Sequence, residues 1–594
     1  MTILIANLGT SDVSIQVEVE DWGKPRYIPI GFDRNERNLK PPQDNEEEQI
    51  WNVREEIVLN QLCPELGVEV TVYKGKRSFS FRDFTERLWQ AYITAPEQWH
   101  HRIRPGRIWG VIKAAQQQFG VEQVYLFVTD QPHFGDTIFL FEILKQWLKQ
   151  EKSTLALVPH LIHNAVEQDV LFQDYYQFFN RISQRQGDDT EILISTKGGT
   201  PQMQTALQMQ AMASTVRFQA HLEPQLSVTR VLEGEPSPCI AGVYWQYARS
   251  QKYQVVKLLL NNRWDFAGAE QILRDWQSFL ERLVERGIAD QEVTAGNQQL
   301  EQVLIALQIA QTWLNLDDRS AKALIAQHPQ IAQAAGLAAL STSQPSKLLN
   351  LYTQCRILWQ LDEVANFLPR MGSFCEAVMD LVIWQFLGKS DAVDSRWKVC
   401  QEKIEAKWGT SFWHHFAQVE GEKNSRFKPQ RKRDGTWYDI SGRYSKRNFA
   451  QAIVDHQSDL SIQENWARLL DLLQQLDYWA NKRNELIHGA EGISKREMRA
   501  AYEDEIEKLQ SSRQRAATIK KKAPSLDQPS SSSKSPQAAL PTYCSPDDIL
   551  QVMEQLCRNS LVHLSVNESS CYIGTHARYY LYSEIRDYVL GQLI

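Results

Sequence analysis

The chain has 594 residues, 43% of them hydrophobic and 23% charged, with a formal net charge of −7. Such a length predicts roughly three to five domains, and no apolar run approaches the ~18–20 residues needed to cross a bilayer. The net negative charge excludes nucleic-acid binding by the surface at large, so any such contact requires a local basic patch.

The N-terminus, MTILIANLGTSD, has no basic region ahead of its apolar run. It reads as a strand rather than a signal peptide, and a cytoplasmic protein is expected. The eight cysteines, at 63, 239, 355, 375, 400, 544, 557 and 571, show neither C-x-x-C spacing nor a zinc-type Cys/His cluster. They read as reduced thiols, with no metal site.

Over the first ~245 residues, strand and helix patterns alternate. ILIANLG (3–9), VEVTVYKG (68–75), VYLFVTD (124–130), LALVPHLI (155–162) and EILISTKGG (191–199) are short apolar runs, suited to strands buried on both faces of a parallel sheet. Helical patterns lie between them at 106–120, 136–150 and 201–214. The alternation predicts an open, Rossmann-like α/β sheet with helices on both faces. The acidic stretch DNEEEQ (44–49) reads as a solvated insertion.

From ~250 onward the strand signal disappears, and an all-α region is expected. Leu, Ala and Gln recur at helical spacing through 253–284, 298–315 and 320–340, and long helical patterns follow at 373–388 and 464–489. The Ser/Lys/Pro-rich stretch 520–537 buries too little apolar surface to fold and is predicted to be disordered.

In an open parallel sheet, ligands sit beyond the carboxyl ends of the strands. Three strands end there in small polar loops: Leu8-Gly9-Thr10-Ser11-Asp12, Thr129-Asp130-Gln131 leading to Gly135-Asp136-Thr137, and Ser195-Thr196-Lys197-Gly198-Gly199-Thr200 followed by Pro201. Proline opens a helix well, paired glycines let backbone N–H groups approach a ligand, and a helix N-terminus favours an anion. Lys197 adds charge and Thr200 a hydroxyl. The set reads as a nucleotide or phosphate cradle, although neither G-x-x-x-x-G-K-[ST] nor G-x-G-x-x-G is present.

ISTKGGTPQM (194–203), NLGTSD (7–12) and the TDQ…GDT segment (129–137) resemble the CARF domain of type III CRISPR-associated ribonucleases. The resemblance implies a homodimer that binds cyclic oligoadenylate, an allosteric activator, in a pocket on its two-fold axis. It carries over Gly9, Thr10, Ser11, Gln131, Lys197, Gly198, Gly199, Thr200 and Met203 as activator-binding residues. Lysine before the glycine pair departs from the expected S-T-G-G-T form.

The second motif is Arg483-Asn484-Glu485-Leu486-Ile487-His488, of the form R-N-x-x-x-H. Asn484 and His488 are four apart and share a helix face. Arg483 continues the stripe of Leu472, Leu476 and Trp479, where an unpaired arginine is costly unless it lines a cleft or interface. Arginine can stabilise charge on a scissile phosphate, and histidine can move protons near neutral pH. Together they suit RNA cleavage without metal, the RNA supplying its 2′-hydroxyl. A second copy, Arg558-Asn559-Ser560-Leu561-Val562-His563, places its arginine off the stripe of Ile549, Met553 and Leu556, so the first copy is preferred. A basic stretch precedes both: from Lys423 to Arg447 nine Lys/Arg face two Asp, with Phe427, Trp437, Tyr438 and Tyr444 interleaved. Single-stranded nucleic acid binds such mixtures. His414-His415 has no carboxylate or Cys at ligand spacing.

RNELIHG (483–489) resembles the catalytic signature of HEPN ribonuclease domains, in which two protomers build a composite site. The resemblance implies Arg483, Asn484 and His488 as the catalytic residues. The expected organisation is a CARF-like sensor over 1–245, a helical connector over 246–345 and an all-α HEPN-like domain over 346–594, with a disordered insertion at about 512–541. The expected function is a cyclic-oligoadenylate-activated, cofactor-free endoribonuclease that cleaves single-stranded RNA in antiviral CRISPR defence. Two alternatives stay open. One is a dimeric ligand-responsive regulator or RNA-binding protein with an inactive HEPN domain. The other is a ring nuclease degrading its own activator near Thr10, Ser11 and His133.

Overall fold

The computed structural model describes residues 2–18, 24–32, 39–131, 135–186, 190–214, 218–242, 245–288, 291–335, 346–388, 391–423, 427–488, 494–522, 543–563 and 582–593. The chain divides into two compact units: Met1–Gln254 with Arg274–Gln298, and Val255–Leu273 with Gln299–Ile594.

The first unit is built on six strands: β1 (Thr2–Asn7), β2 (Gln123–Thr129), β3 (Ala156–Ile162), β4 (Glu191–Ser195), β5 (Phe218–Pro224) and β6 (Cys239–Gly242). Their order is β6-β5-β4-β1-β2-β3. All neighbours run parallel except β5 and β6. The central strand is apolar on both faces: Ile3, Leu4, Ile5 and Ala6 are fully buried. Leu4 sits in register with Val124 on one side and Leu193 on the other. From β1 the chain builds outward through β2 and β3, then returns to build β4, β5 and β6 on the opposite side. The strand order therefore reverses between β1 and β4, where an open α/β sheet forms its ligand crevice.

Four helices follow these strands: α1 (Gly106–Phe119), α2 (Ile138–Gln150), α3 (Gln168–Gln186) and α4 (Pro201–Ala213). α3 and α4 pack together, and Tyr175, Phe179, Met203 and Leu207 join Ile3, Ile5, Ile192 and Ile194 in one buried cluster. Side chains alternate along strands, so Leu4 and Leu193 point to the opposite face. α1 packs against β1, β5 and β6. At the amino end of β4, Glu191 is held by Arg286 at 2.7 Å and Arg282 at 3.7 Å.

Two details differ from expectation, and a third adds to it. Within VEVTVYKG the strand is Val70–Tyr73, and it pairs only with Lys76–Phe79 in an exposed hairpin outside the main sheet. Its alternating polar residues suit a solvated hairpin and not a doubly covered strand. The sheet instead gains β5 and β6. The acidic stretch is exposed except at Glu47, as a solvated segment should be, and is also helical: Asp44 caps Asn45–Ile57, with Glu46, Glu47 and Glu48 in the first turn, where acids complement the helix dipole.

Three helices, α5 (Trp245–Leu258), α6 (Phe266–Glu285) and α7 (Gln291–Leu314), contribute residues to both units. The second unit continues with α8 (Ser346–Gln360), α9 (Val364–Leu387), α10 (Arg443–Asp455), α11 (Leu460–His488), α12 (Lys495–Lys522) and α13 (Ile549–His563). α9 packs against α8, α10 and α11, and α11 packs against α13. The buried side of α11 carries Trp466, Leu469, Leu473, Leu476, Trp479 and Ala480.

This unit is mostly helical but not all-α. β7 (Lys398–Cys400), β8 (Gln430–Lys432) and β9 (Gly435–Asp439) form an antiparallel sheet in the order β7-β9-β8. The strands are too short and polar for periodicity to show, yet Asp434-Gly435 is a hairpin turn signal. Gly435 has φ +139°, and a Cβ there would come within 2.6 Å of Glu402. Residues 512–522 of the expected disordered insertion continue α12, and 523–542 lie outside the described residues. The described cysteines are unbridged. No helix among the described residues is long and apolar enough to cross a membrane.

Candidate functional site

The loops that leave β1 and β4 meet at the reversal point. After β1, Gly9 opens a 3-10 turn (Thr10–Asp12), and the buried Asp12 carboxylate accepts the Gly9 N–H at 2.6 Å. The other carboxylate oxygen of Asp12 accepts from Arg107 Nε, at the start of α1. After β4, Gly198 and Gly199 take φ values of +103° and +69°, which strain any residue with a Cβ. Space makes the same demand. A Cβ on Gly9 would lie 2.8 Å from Arg107 Nη2 and 3.1 Å from the Gly198 backbone, and one on Gly198 would lie 2.6 Å from the Asn7 carbonyl. The two loops and the guanidinium form one close-packed cluster.

Around this cluster several buried polar atoms have no hydrogen-bond partner among the described residues: Arg107 Nη2, Asn7 Nδ2 and Ser195 Oγ. Asn7 and Ser195 end β1 and β4, and Asn7 Oδ1 is already taken by the Tyr175 hydroxyl at 2.6 Å. A buried unpaired donor costs about 1–3 kcal/mol. Arg107 Nη2 lies against both glycine loops, whereas Asn7, in phase with Ile3 and Ile5, and Ser195, in phase with Leu193, point to opposite faces of the sheet, so the guanidinium marks the place suited to an acceptor. The N-terminus of α4 faces the same loop, adding its dipole.

The residues expected from sequence divide. Gly9, Gly198 and Gly199 form the cradle, and Thr10 and Ser11 lie half-buried beside it. Thr10 also lines an open cavity of about 270 Å³ with Gly31, Phe32, Glu55, Arg77 and Gly135. Thr200 is the N-cap of α4: its hydroxyl accepts from Met203 N at 3.2 Å and donates to the Ala165 carbonyl. Met203 is fully buried in the core beneath Gly199. Lys197 leans toward Glu223 on β5 at 3.7 Å. Gln131 donates to the His163 carbonyl at 3.1 Å, and its N–H goes to Asp136. Asp136 is fully buried and bonded to Arg82 at 2.5 Å, but burial still raises it above the usual carboxylate range. His133 lies outside the described residues. Sequence reading passed over Asn7, Arg107 and Ser195. Asn7 and Ser195 stood in the quoted segments, whereas Arg107 lies far away along the chain.

In the second unit, Arg483, Asn484 and His488 end α11, and their side chains lie outside the described residues. The turns just before them are well defined. Asp477, nearly buried, faces Arg443 at 3.6 Å and bonds Arg447, both on α10. Asn481 accepts from Arg443 and donates to the Tyr444 hydroxyl. In the second copy, Ile549, Val552, Met553, Leu556 and Cys557 form the buried stripe of α13. Arg558 lies off it and bonds Glu554 through Nε at 3.2 Å and Nη2 at 2.8 Å. The side chain of His563 is not among those described.

The chain is similar to the solved structure of Enterococcus italicus Csm6 bound to cyclic hexa-2'-fluoro-hexa-dAMP. The TM-score is 0.43 and the identity 12%, over 81% of this chain and 95% of that one. No family model and no curated protein matches the chain.

The basic stretch before α11 is partly committed to folding. Phe427 and Tyr438 stack at 4.6 Å beside Trp413, and Trp437 is buried beneath Lys432 at 4.1 Å. Of the four aromatic residues read there, Tyr444 stays 55% exposed. Arg431 and Arg433 are exposed at the hairpin end of β8. Among the described residues no group of three or more His, Cys, Asp or Glu is placed to hold a metal ion, and His414 and His415 are both exposed.

Proposed function

We propose that this chain is an endoribonuclease of the CARF–HEPN type, switched on by cyclic oligoadenylate at the first unit and cutting single-stranded RNA at the end of α11. The observation that carries the reading is the edge of β1 and β4. Two glycine loops, a helix N-terminus and the unpaired Nη2 of Arg107 meet at the reversal point of a doubly wound sheet, where Asn7 and Ser195 end their strands. That chemistry suits a phosphodiester with its excess of acceptors. The cavity beside Thr10 has the character of a base pocket, with Phe32 on its wall.

At the nuclease end, Arg483 stabilises charge on the scissile phosphate, Asn484 orients the reacting groups and His488 moves a proton. The RNA 2′-hydroxyl gives up its proton as its oxygen bonds to phosphorus, the bond to the 5′-oxygen breaks and that oxygen takes a proton, so no net proton is consumed. The products are a 2′,3′-cyclic phosphate and a 5′-hydroxyl. No metal is required, because charge and proton transfer are both supplied by side chains. In the homodimer two such helix ends build a composite site.

Titration calorimetry with cyclic tetra- and hexa-adenylate tests the sensor half. Saturable binding of one ring per dimer, weakened in Arg107→Lys, supports it. Absence of binding by both rings contradicts it.

A further inference from the structure

We infer that Tyr444 is a stacking platform for an unpaired RNA base at the nuclease end of the second unit. The inference rests on the proposed nuclease reading and adds a substrate-binding residue outside the R-N-x-x-x-H motif.

Four observations carry it. Tyr444 is more than half exposed, whereas Trp437 is buried and Phe427 and Tyr438 stack on each other. Its ring is also anchored. The hydroxyl accepts from Asn481 Nδ2, and Asn481 Oδ1 in turn accepts from Arg443, so both ends of that amide are used. An exposed aromatic with its orientation already fixed loses little freedom when a base stacks on it.

Position is the third observation. On a helix, position 488 stands seven residues beyond 481, about 20° round and roughly 10 Å along the axis. Asn484 lies between, on the same face. Tyr444 is thus bonded to Asn481, one helical turn before position 484.

Charge is the fourth. Arg443 and Arg447 share a single carboxylate, Asp477. Arg443 also lies 6.0 Å from the centre of the Tyr444 ring. A cation beside an exposed aromatic suits a phosphate beside a base.

The test uses the full chain and a fluorescent single-stranded RNA, alongside an uncleavable 2′-deoxy-substituted oligonucleotide of the same sequence for affinity. Tyr444→Ala should raise KM, and weaken binding of the uncleavable strand, by about five- to hundredfold, with kcat changed less. Tyr444→Phe, which keeps the ring, should recover most of the loss. Duplex RNA, whose bases cannot splay out, should be bound equally by parent and Tyr444→Ala. Unchanged affinity for single strands in Tyr444→Ala overturns the inference, as does an equal loss on duplex. If the parent binds the strand without cutting it, the nuclease reading fails on its own and the platform is decided by the same affinity difference. If the parent neither binds nor cuts, both fall.

Discussion

The two proposed sites, the strand edge of the first unit and the helix end of the second, are assembled in opposite ways. At the edge of β1 and β4, the polar side chains that stood out in sequence are largely used up by the fold. Thr200 caps α4, Met203 lies in the core, Gln131 holds the loop after β3, and Lys197 leans on Glu223. Among the described residues, the buried atoms without partners there include Asn7 Nδ2, Arg107 Nη2, Ser195 Oγ and Asp136 Oδ1. At the end of α11 the face is set by local periodicity, so Asn484 and His488 can be placed together from their spacing alone. A site assembled by topology hides its chemistry from linear reading, whereas a site on one helix displays it.

The largest expected effect tests the helix half of that contrast. His488→Ala should lose about 10²–10⁴-fold in RNA cleavage while still binding activator. His563→Ala should stay within a few-fold of the parent, because Arg558 is engaged by Glu554 on the flank of α13. A dead His563→Ala beside an active His488→Ala would reverse the assignment. Loss in both folded variants would mean that the packed helices α11 and α13 supply one site together.

The strand-edge half predicts a ranking. Arg107→Lys keeps the charge but loses the fork that reaches both Asp12 and the glycine loops. Measured by calorimetry, it should weaken activator binding by roughly ten- to hundredfold. Lys197→Ala, removing a partly exposed side chain already turned to Glu223, should weaken it by no more than about fivefold. The opposite ranking would return the leading role to the residue visible in sequence.

A smaller effect concerns acid stability of the first unit. Burial lowers His160 and His221 to about 4, from an ordinary value of 6.5, and Arg181 adds to the shift at His160. The unfolded chain therefore takes up these protons at a higher pH than the folded one. Their contribution is fully present above about 6.5 and is lost as pH falls toward 4. Chemical denaturation at pH 7.5, 6 and 5 should show falling stability, and His160→Gln should flatten the slope. An identical slope in the variant would contradict the assignment. The smallest expected effect is none at all: cleavage should persist in EDTA and leave 2′,3′-cyclic phosphate ends.

Much of the fold was legible because it is written in short-range pattern. β1, β2, β3 and β4 follow apolar runs, and α1, α2 and α4 fall within a residue or two of their expected ranges. The failures have a common cause. Val70–Tyr73 was read as a sheet strand because a β-rich run does not say which strand it pairs with. β8 and β9 were hidden because the basic residues of β8 and its turn draw attention to charge and away from the Arg433-Asp434-Gly435 hairpin. Arg107 was invisible because its contact with Asp12 spans 95 positions.

The account joins two ends of one chain, and one measurement tests that junction directly: the rate of cleavage of a fluorescent single-stranded RNA with and without cyclic oligoadenylate, in the parent, Arg107→Lys and His488→Ala. The parent should be nearly silent alone and accelerate on addition of the ring. Arg107→Lys should need more activator to reach the same rate, and His488→Ala should stay silent at every concentration. Cleavage that is equally fast without the ring, or that persists in His488→Ala, would contradict it.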